Sequence, residues 1–212
     1  MKKYLSFALV AVLLVSLLAG CSLLGGISVE DLAGTWSVVK PDTEEEAMGL
    51  LEKIEAYEEE IALADLSVLE YVKILEFRTD GSYCFRYDVE ATMDCVREFY
   101  DAYFNALYEG RATLEATYEE AFSEMSQAEF RQFFAELYGC TDYIEMLDSF
   151  VEIAYDYEGM EEPLETGTFR VSGDEVWLTI TGESVEESVG VELEENTMTV
   201  TYSDGTEIYT RK

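Results

Sequence analysis

The 212-residue sequence contains no histidine, only 2 prolines, and 13 basic side chains against 46 acidic ones. Without histidine the chain lacks the commonest general base, both the Ser–His and Cys–His nucleophile pairs, and the commonest zinc ligand. The scarcity of Lys and Arg excludes nucleic acid as a partner, because phosphate binding needs clustered cations that release counterions, and here the bases stand singly among acids. No GxSxG, HExxH or phosphate-cradling Gly-rich loop occurs, and among 46 carboxylates any glycosidase-like pair would be a chance selection. The sequence therefore predicts no enzyme, no cofactor and no metal site. Its Asp-Gly turns lack the alternating oxygen ligands of a calcium loop. What remains is an apolar content of 49%, with 13% aromatics, enough to build a core in spite of a net charge of −33.

The amino terminus carries an address. Met1-Lys2-Lys3 is a short basic start, and Tyr4 to Leu18 is an apolar run broken only by Ser6 and Ser16, shorter than the roughly 20 residues that span a bilayer. It ends in Leu18-Ala19-Gly20-Cys21, which resembles the lipobox of bacterial lipoproteins. That resemblance implies a signal peptide over residues 1–20, cleavage before Cys21 and a diacylglycerol on the Cys21 thiol. Losing 20 of 212 residues leaves 192, and losing Lys2 and Lys3 takes the charge from −33 to −35. Acyl chains contribute about 0.8 kcal/mol per buried methylene, so two or three hold a protein at a membrane without a transmembrane helix. Residues 21–29 then form a lipidated tether, and the expected location is extracytoplasmic, anchored to a bacterial membrane.

Three cysteines follow: Cys84, Cys95 and Cys140. An odd number outside the cell allows at most one internal bridge, and Cys95 with Cys140 is the pair to test, since both fall in helical segments of one insertion. Three small buried hydrophobes are the equal alternative.

Along the rest of the chain, strands occupy both ends and helices the middle. Residues 34–40 read as a strand stopped by Pro41. Thr43 with Glu46 makes a capping box, and Leu50, Ile54, Tyr57 and Ile61 recur at helical spacing, which predicts a helix over 44–64 with Glu44 to Glu46 and Glu58 to Glu60 on a solvated face. Residues 72–78 and 82–90 are strands joined by Thr79-Asp80-Gly81, whose Asp-Gly supplies the positive φ of a tight turn. Residues 92–158 form four helical runs with aromatic stripes, read first as core and alternatively as a ligand or partner surface. Alternation returns over 167–172, 175–181, 188–193, 197–202 and 206–211. Eight consecutive antiparallel strands are the number at which a sheet can close on itself and lose its edges.

Gly34-Thr35-Trp36 looks like the GxW that opens lipocalins, and the hairpins around Thr79-Asp80-Gly81 and Ser203-Asp204-Gly205 are similar to those of bacterial lipocalin-like lipoproteins. The resemblance covers roughly residues 30–90 and 163–212. Together with the periodicities above, it gives an α+β fold over residues 30–212: an eight-stranded antiparallel lipocalin-like barrel or strongly curled sheet, an α-helix between strands 1 and 2, and a four-helix insertion over 92–158 between strands 3 and 4. It also implies that Trp36 closes one end of the barrel beside Gly34, with Arg211 from the last strand stacked over it. Two features depart from the family: the C-terminal helix is missing, and about 70 helical residues interrupt the sheet. The alternating residues expected to face inward are Trp36, Val38, Phe85, Phe169, Val176, Ile180, Val191, Val200, Tyr202 and Ile208, with Trp177 and Tyr209 on the opposite phase. Of these, Trp36, Phe85, Phe169, Val191 and Tyr202 are the candidate lining of a ligand pocket, although a small barrel can equally be filled by its own side chains. The functional expectation is a non-catalytic, membrane-anchored binding protein holding a small hydrophobic ligand. The alternative is an acidic interaction protein that grips a cationic protein or peptide.

Overall fold

A computed structural model describes residues 26–212, apart from 119, 120, 161 and 204 and the side chains of 116, 157 and 158. The leader 1–20, the lipidation candidate Cys21 and the start of the tether lie outside the described residues. The chain divides into two units. One comprises the chain up to Trp36 with Glu76–Cys84 and Glu165–Lys212; the other comprises Ser37–Leu75 and Phe85–Leu164.

Eight strands run in sequence order around a closed barrel: β1 (Gly34–Pro41), β2 (Glu70–Phe77), β3 (Ser82–Tyr87), β4 (Glu165–Ser172), β5 (Glu175–Ile180), β6 (Glu186–Glu194), β7 (Thr197–Thr201) and β8 (Thr206–Arg211). All the pairings from β4 to β8 are antiparallel. The expected closed antiparallel sheet is thus present, and closure leaves no long unpaired edge. Before it comes the single turn α1 (Val29–Leu32), with a capping box between Ser28 and Asp31.

Pairing partners fix which residues share a face. The register Phe169↔Leu178, Val176↔Val189, Val191↔Val200 and Met198↔Tyr209 puts these side chains on one surface. Phe169, Val176, Val189, Val191, Met198, Val200 and Tyr209 are all buried, as are Trp36 and Val38. One inward assignment is corrected: Ile208 is 64% exposed and Tyr209 is 1% exposed, so β8 sits in the opposite phase from the one its sequence predicts. Both residues are apolar enough for either face. Pairing with Met198 decides the matter, and the Tyr209 hydroxyl then finds Glu207 Oε2 at 2.6 Å. Phe85, Ile180 and Tyr202 are half-buried.

The second unit carries the helices. Between β1 and β2 stand α2 (Glu44–Lys53) and α3 (Glu58–Ile61), followed by a 3-10 turn at Leu66–Val68. The expected continuous helix over 44–64 is therefore interrupted. Glu55 takes a left-handed φ of 62°, and Ala56 N donates to Leu51 O at 3.0 Å, the closing bond of a Schellman cap formed without glycine. Between β3 and β4 lie α4 (Val89–Glu109), α5 (Arg111–Tyr118), α6 (Gln127–Leu137) and α7 (Tyr143–Glu158), the expected four-helix insertion. It starts earlier than predicted: β3 ends at Tyr87, and Val89 belongs to α4. Thr92 explains the shift, since its buried Oγ1 accepts from Val72 N (3.0 Å) and donates to Val72 O (2.9 Å), taking the place of a strand partner on β2.

The aromatic stripes of this unit face one another. Tyr100, Tyr103, Phe104, Phe122, Phe130, Phe134 and Phe150 are all at most 2% exposed. Edge-on ring contacts link them, such as Phe104 to Phe134 at 5.4 Å and Phe122 to Phe130 at 5.3 Å. Their packing matches the reading of these stripes as core, and among the described residues the large apolar side chains exposed on the insertion are Leu137, Ile144 and Ile153.

Candidate functional site

The two ends of the barrel differ. At the end where β1 begins and β8 finishes, Trp36 is 1% exposed and its Nε1 donates to Leu32 O at 2.8 Å. Arg211 lies over the Trp36 ring, 4.4 Å from its centroid, and donates from Nη2 to Asp31 O at 2.7 Å. The capping box on Ser28 sets the α1 turn, α1 presents its carbonyls, and the indole and guanidinium take two of them. The stacking that the GxW resemblance implies is present. A cleft of about 490 Å³ lies on this end between Ile27, Glu30, Trp36, Val191, Leu193 and Arg211. Chain entry is fixed here too. Ile27 N donates to Gly173 O at 2.9 Å, and a Cβ on Gly26 would stand 2.2 Å from that same oxygen.

The barrel interior next to this end is filled, with Phe77 and Phe169 in edge contact at 4.7 Å. At the other end of β4 and β5 the filling stops. Leu178 and Ile180, which share the inner face with Val176, are half-buried, and with Glu165, Glu183, Val185, Glu186 and Glu187 they surround a cavity of about 290 Å³. Tyr83, 3% exposed, donates to Glu165 Oε1 at 2.5 Å. Burial first, then the Glu165 hydrogen bond and the charges of Glu165, Glu183 and Glu187, push the Tyr83 phenol well above its ordinary range. The tyrosine is seated by Gly167, where a Cβ would lie 2.6 Å from its ring.

Of the five expected lining residues, Trp36 and Val191 border the cleft at the closed end, Phe169 is buried beside Phe77, and Phe85 and Tyr202 are half-buried on their strands. None of the five lines the 290 Å³ mouth. Sequence reasoning missed Leu178, Glu183, Val185 and Glu187 because acids following a strand read as ordinary solvated turn. The signal that would have found them is the inward phase shared by Glu187 and Val189.

Two further clusters lie in the helical unit. Arg131 donates to Asp101 Oδ1 (2.8 Å) and Asn105 Oδ1 (2.9 Å), stacks at 4.4 Å on Tyr143, and shares Asp101 with the Tyr143 hydroxyl. Glu60, expected on a solvated face, is instead fully buried, accepting from Tyr103 at 2.6 Å and from Tyr118. Burial leads, with Glu60 adding to it, in raising both phenols. Both clusters knit helices together.

The three described cysteines, Cys84, Cys95 and Cys140, are free thiols, so of the two alternatives the candidate Cys95–Cys140 bridge is absent. Burial and the carboxylates of Glu70, Glu98 and Asp94 raise the Cys95 thiol and suppress the thiolate that disulfide exchange requires. Comparison with family models, with curated proteins and with solved structures yields no match to this chain.

Proposed function

We propose that this chain is a lipocalin-like, lipid-anchored extracytoplasmic protein that binds a small hydrophobic ligand and catalyses no reaction. The observation that carries the reading is the change along the barrel's inner face, from side chains packed against one another to a concave mouth floored by Leu178 and Ile180. Barrel mouths are a recurrent place for small-molecule sites. The Trp36–Arg211 closure supports the lipocalin-like part of the reading, and the want of histidine supports the non-catalytic part.

Anchoring at Cys21 rests on the lipobox resemblance, and the fixed chain entry gives it a geometry. Five residues separate Gly26 from Cys21, at most about 18 Å of chain. On this reading the chain enters the barrel at its closed end, within that length of the lipid. The mouth lies at the far end of β5 from Gly173, about 17–20 Å along the strand from that entry point.

Two measurements test this. Labelled palmitate should enter the wild-type chain and fail to enter Cys21→Ala. Native mass spectrometry of the gently purified protein should show a bound small molecule that Leu178→Trp, which fills the mouth, no longer retains. An unacylated wild type refutes the anchor, and a ligand retained equally by Leu178→Trp refutes the mouth as its seat.

A further inference from the structure

We infer that the mouth selects an amphipathic organic cation, an ammonium head carried on a short apolar chain. This inference rests on the reading of the mouth as a ligand seat and names its ligand class. The floor is apolar: Leu178, Ile180 and the 70% exposed Val185. Its walls carry the carboxylates of Glu165, Glu183, Glu186 and Glu187; Arg170 pairs with Glu186, and among the described residues no ion pair engages the other three. Arg170 is the one cation on the neighbouring strands β4, β5 and β6, and it faces outward. There it grips Glu186 through Nε (3.1 Å) and Nη2 (2.8 Å) and stacks 4.6 Å over Trp177. It therefore neutralises one of the four carboxylates that line the mouth and leaves Glu165, Glu183 and Glu187 without a cation.

Charge complementarity decides between occupants. A neutral apolar guest would bury part of the floor and leave three carboxylates crowded and partly desolvated, and an anion would be repelled. An ammonium group answers the acids with three N–H donors while its chain covers the floor. The carboxylates do not close on a metal ion, since among the described residues no three acidic or thiol groups converge tightly enough to hold one. Tyr83 keeps the arrangement in place, since its buried hydroxyl donates to Glu165 and fixes it at the rim. The cavity of about 290 Å³ corresponds to about ten water volumes at ~30 Å³ each. That matches a guest of about ten heavy atoms.

Octylammonium, octanol and octanoate share that size and differ only in the head group. Each is titrated by calorimetry into the full chain in phosphatidylcholine nanodiscs, with empty nanodiscs subtracted. Octylammonium should bind at least tenfold more tightly than octanol, and octanoate should not bind. Raising the salt from about 0.01 M to about 1 M, which shortens the screening length from ~30 to ~3 Å, should remove most of that preference. Glu183→Gln/Glu187→Gln should reduce octylammonium to the level of octanol. Val185→Ser, at an exposed position that cannot unsettle the fold, should weaken octylammonium and octanol alike by severalfold. Equal binding of all three probes overturns the cation preference and leaves the mouth standing as a seat. No binding of any probe overturns both. Octylammonium affinity unchanged in Glu183→Gln/Glu187→Gln places the cation elsewhere and overturns the inference. Binding of an oligolysine peptide without binding of octylammonium overturns it in favour of a macromolecular partner.

Discussion

Replacing Glu60 tests how the helical unit is held. The carboxylate is fully buried within an aromatic core, and its oxygens accept from the hydroxyls of Tyr103 and Tyr118 and, at 3.4 Å, from the backbone N–H of Tyr57. Glu60→Ala removes the acceptor and leaves two phenolic donors away from water. A buried donor without a partner costs about 1–3 kcal/mol, so the two together should cost about 2–6 kcal/mol. Glu60→Gln keeps one carbonyl oxygen and lets the second hydroxyl rotate toward the amide. It exchanges charge-assisted bonds for neutral ones, at about 1–2 kcal/mol in all. At roughly 2–4 °C per kcal/mol for a chain of this size, Glu60→Ala should melt about 6–12 °C below wild type if the loss is about 3 kcal/mol, with Glu60→Gln between them. Urea unfolding followed by circular dichroism gives the free energies. A double-mutant cycle adds the sharper test, because Tyr103→Phe should cost clearly less in the Glu60→Ala background, where its hydroxyl is already stranded. Equal stability of Glu60→Ala and wild type, or the same cost for Tyr103→Phe in both backgrounds, would refute the assignment.

Three other outcomes are expected. Arg211→Ala should lower stability by roughly 1–2 kcal/mol, the sum of a cation–π contact and one hydrogen bond, and quench shifts of Trp36 fluorescence should accompany it. Gly167→Ala should destabilise by more than the ~1–3 kcal/mol of ordinary overpacking, because its Cβ would meet Thr179 O at 2.2 Å as well as the Tyr83 ring, and denaturant titration reads the loss. The phenols of Tyr83, Tyr100, Tyr103, Tyr118, Tyr138, Tyr143 and Tyr209 are all raised, with burial the leading cause. Their native pKa values exceed the unfolded value of about 10, so their contribution to stability is complete below that pH and is lost as pH rises beyond it. The part of the tyrosinate absorbance that belongs to these seven should therefore appear late, in the same step as the loss of circular dichroism, and titration of the full complement of 15 tyrosines near pH ~10 with the fold intact would contradict it.

The barrel was legible because period-two alternation and Asp-Gly turns are local signals, and the four helices of the insertion because their apolar stripes repeat at 3.6. What local pattern could not settle was phase and partnership. Ile208 and Tyr209 differ too little in hydrophobicity to say which faces in, and the pairing of Tyr209 with Met198 is a long-range fact. Glu60 sits in a run of three glutamates and carries no mark of burial. Its partners come from 43 and 58 residues away. Glu55 breaks a helix from a left-handed conformation that glycine usually supplies. The mouth was missed for the same kind of reason, since it is defined by where Leu178 and Ile180 stop being covered, a property of the closed sheet rather than of any strand alone.

The few cations are where the fold puts charge to specific use. Of the seven arginines, Arg78, Arg97, Arg131 and Arg170 hold carboxylates, while Arg111 and Arg211 lie over aromatic rings and Arg86 donates to a backbone carbonyl. Lys73 likewise lies over Tyr87. In a chain at −33, self-repulsion acts against folding, so a cation is most valuable where acids are crowded and partly desolvated. At the wall of the mouth Arg170 answers Glu186 alone, and Glu165, Glu183 and Glu187 carry no ion pair among the described residues. Exposed carboxylates on a surface need no such attention, because water and salt screen them. Glu165 is different: a buried tyrosine holds it at the rim of an apolar cavity, where screening is weaker. Leaving that charge without a cation of its own is a cost of the arrangement. A ligand that brings the positive charge with it gives the arrangement a use.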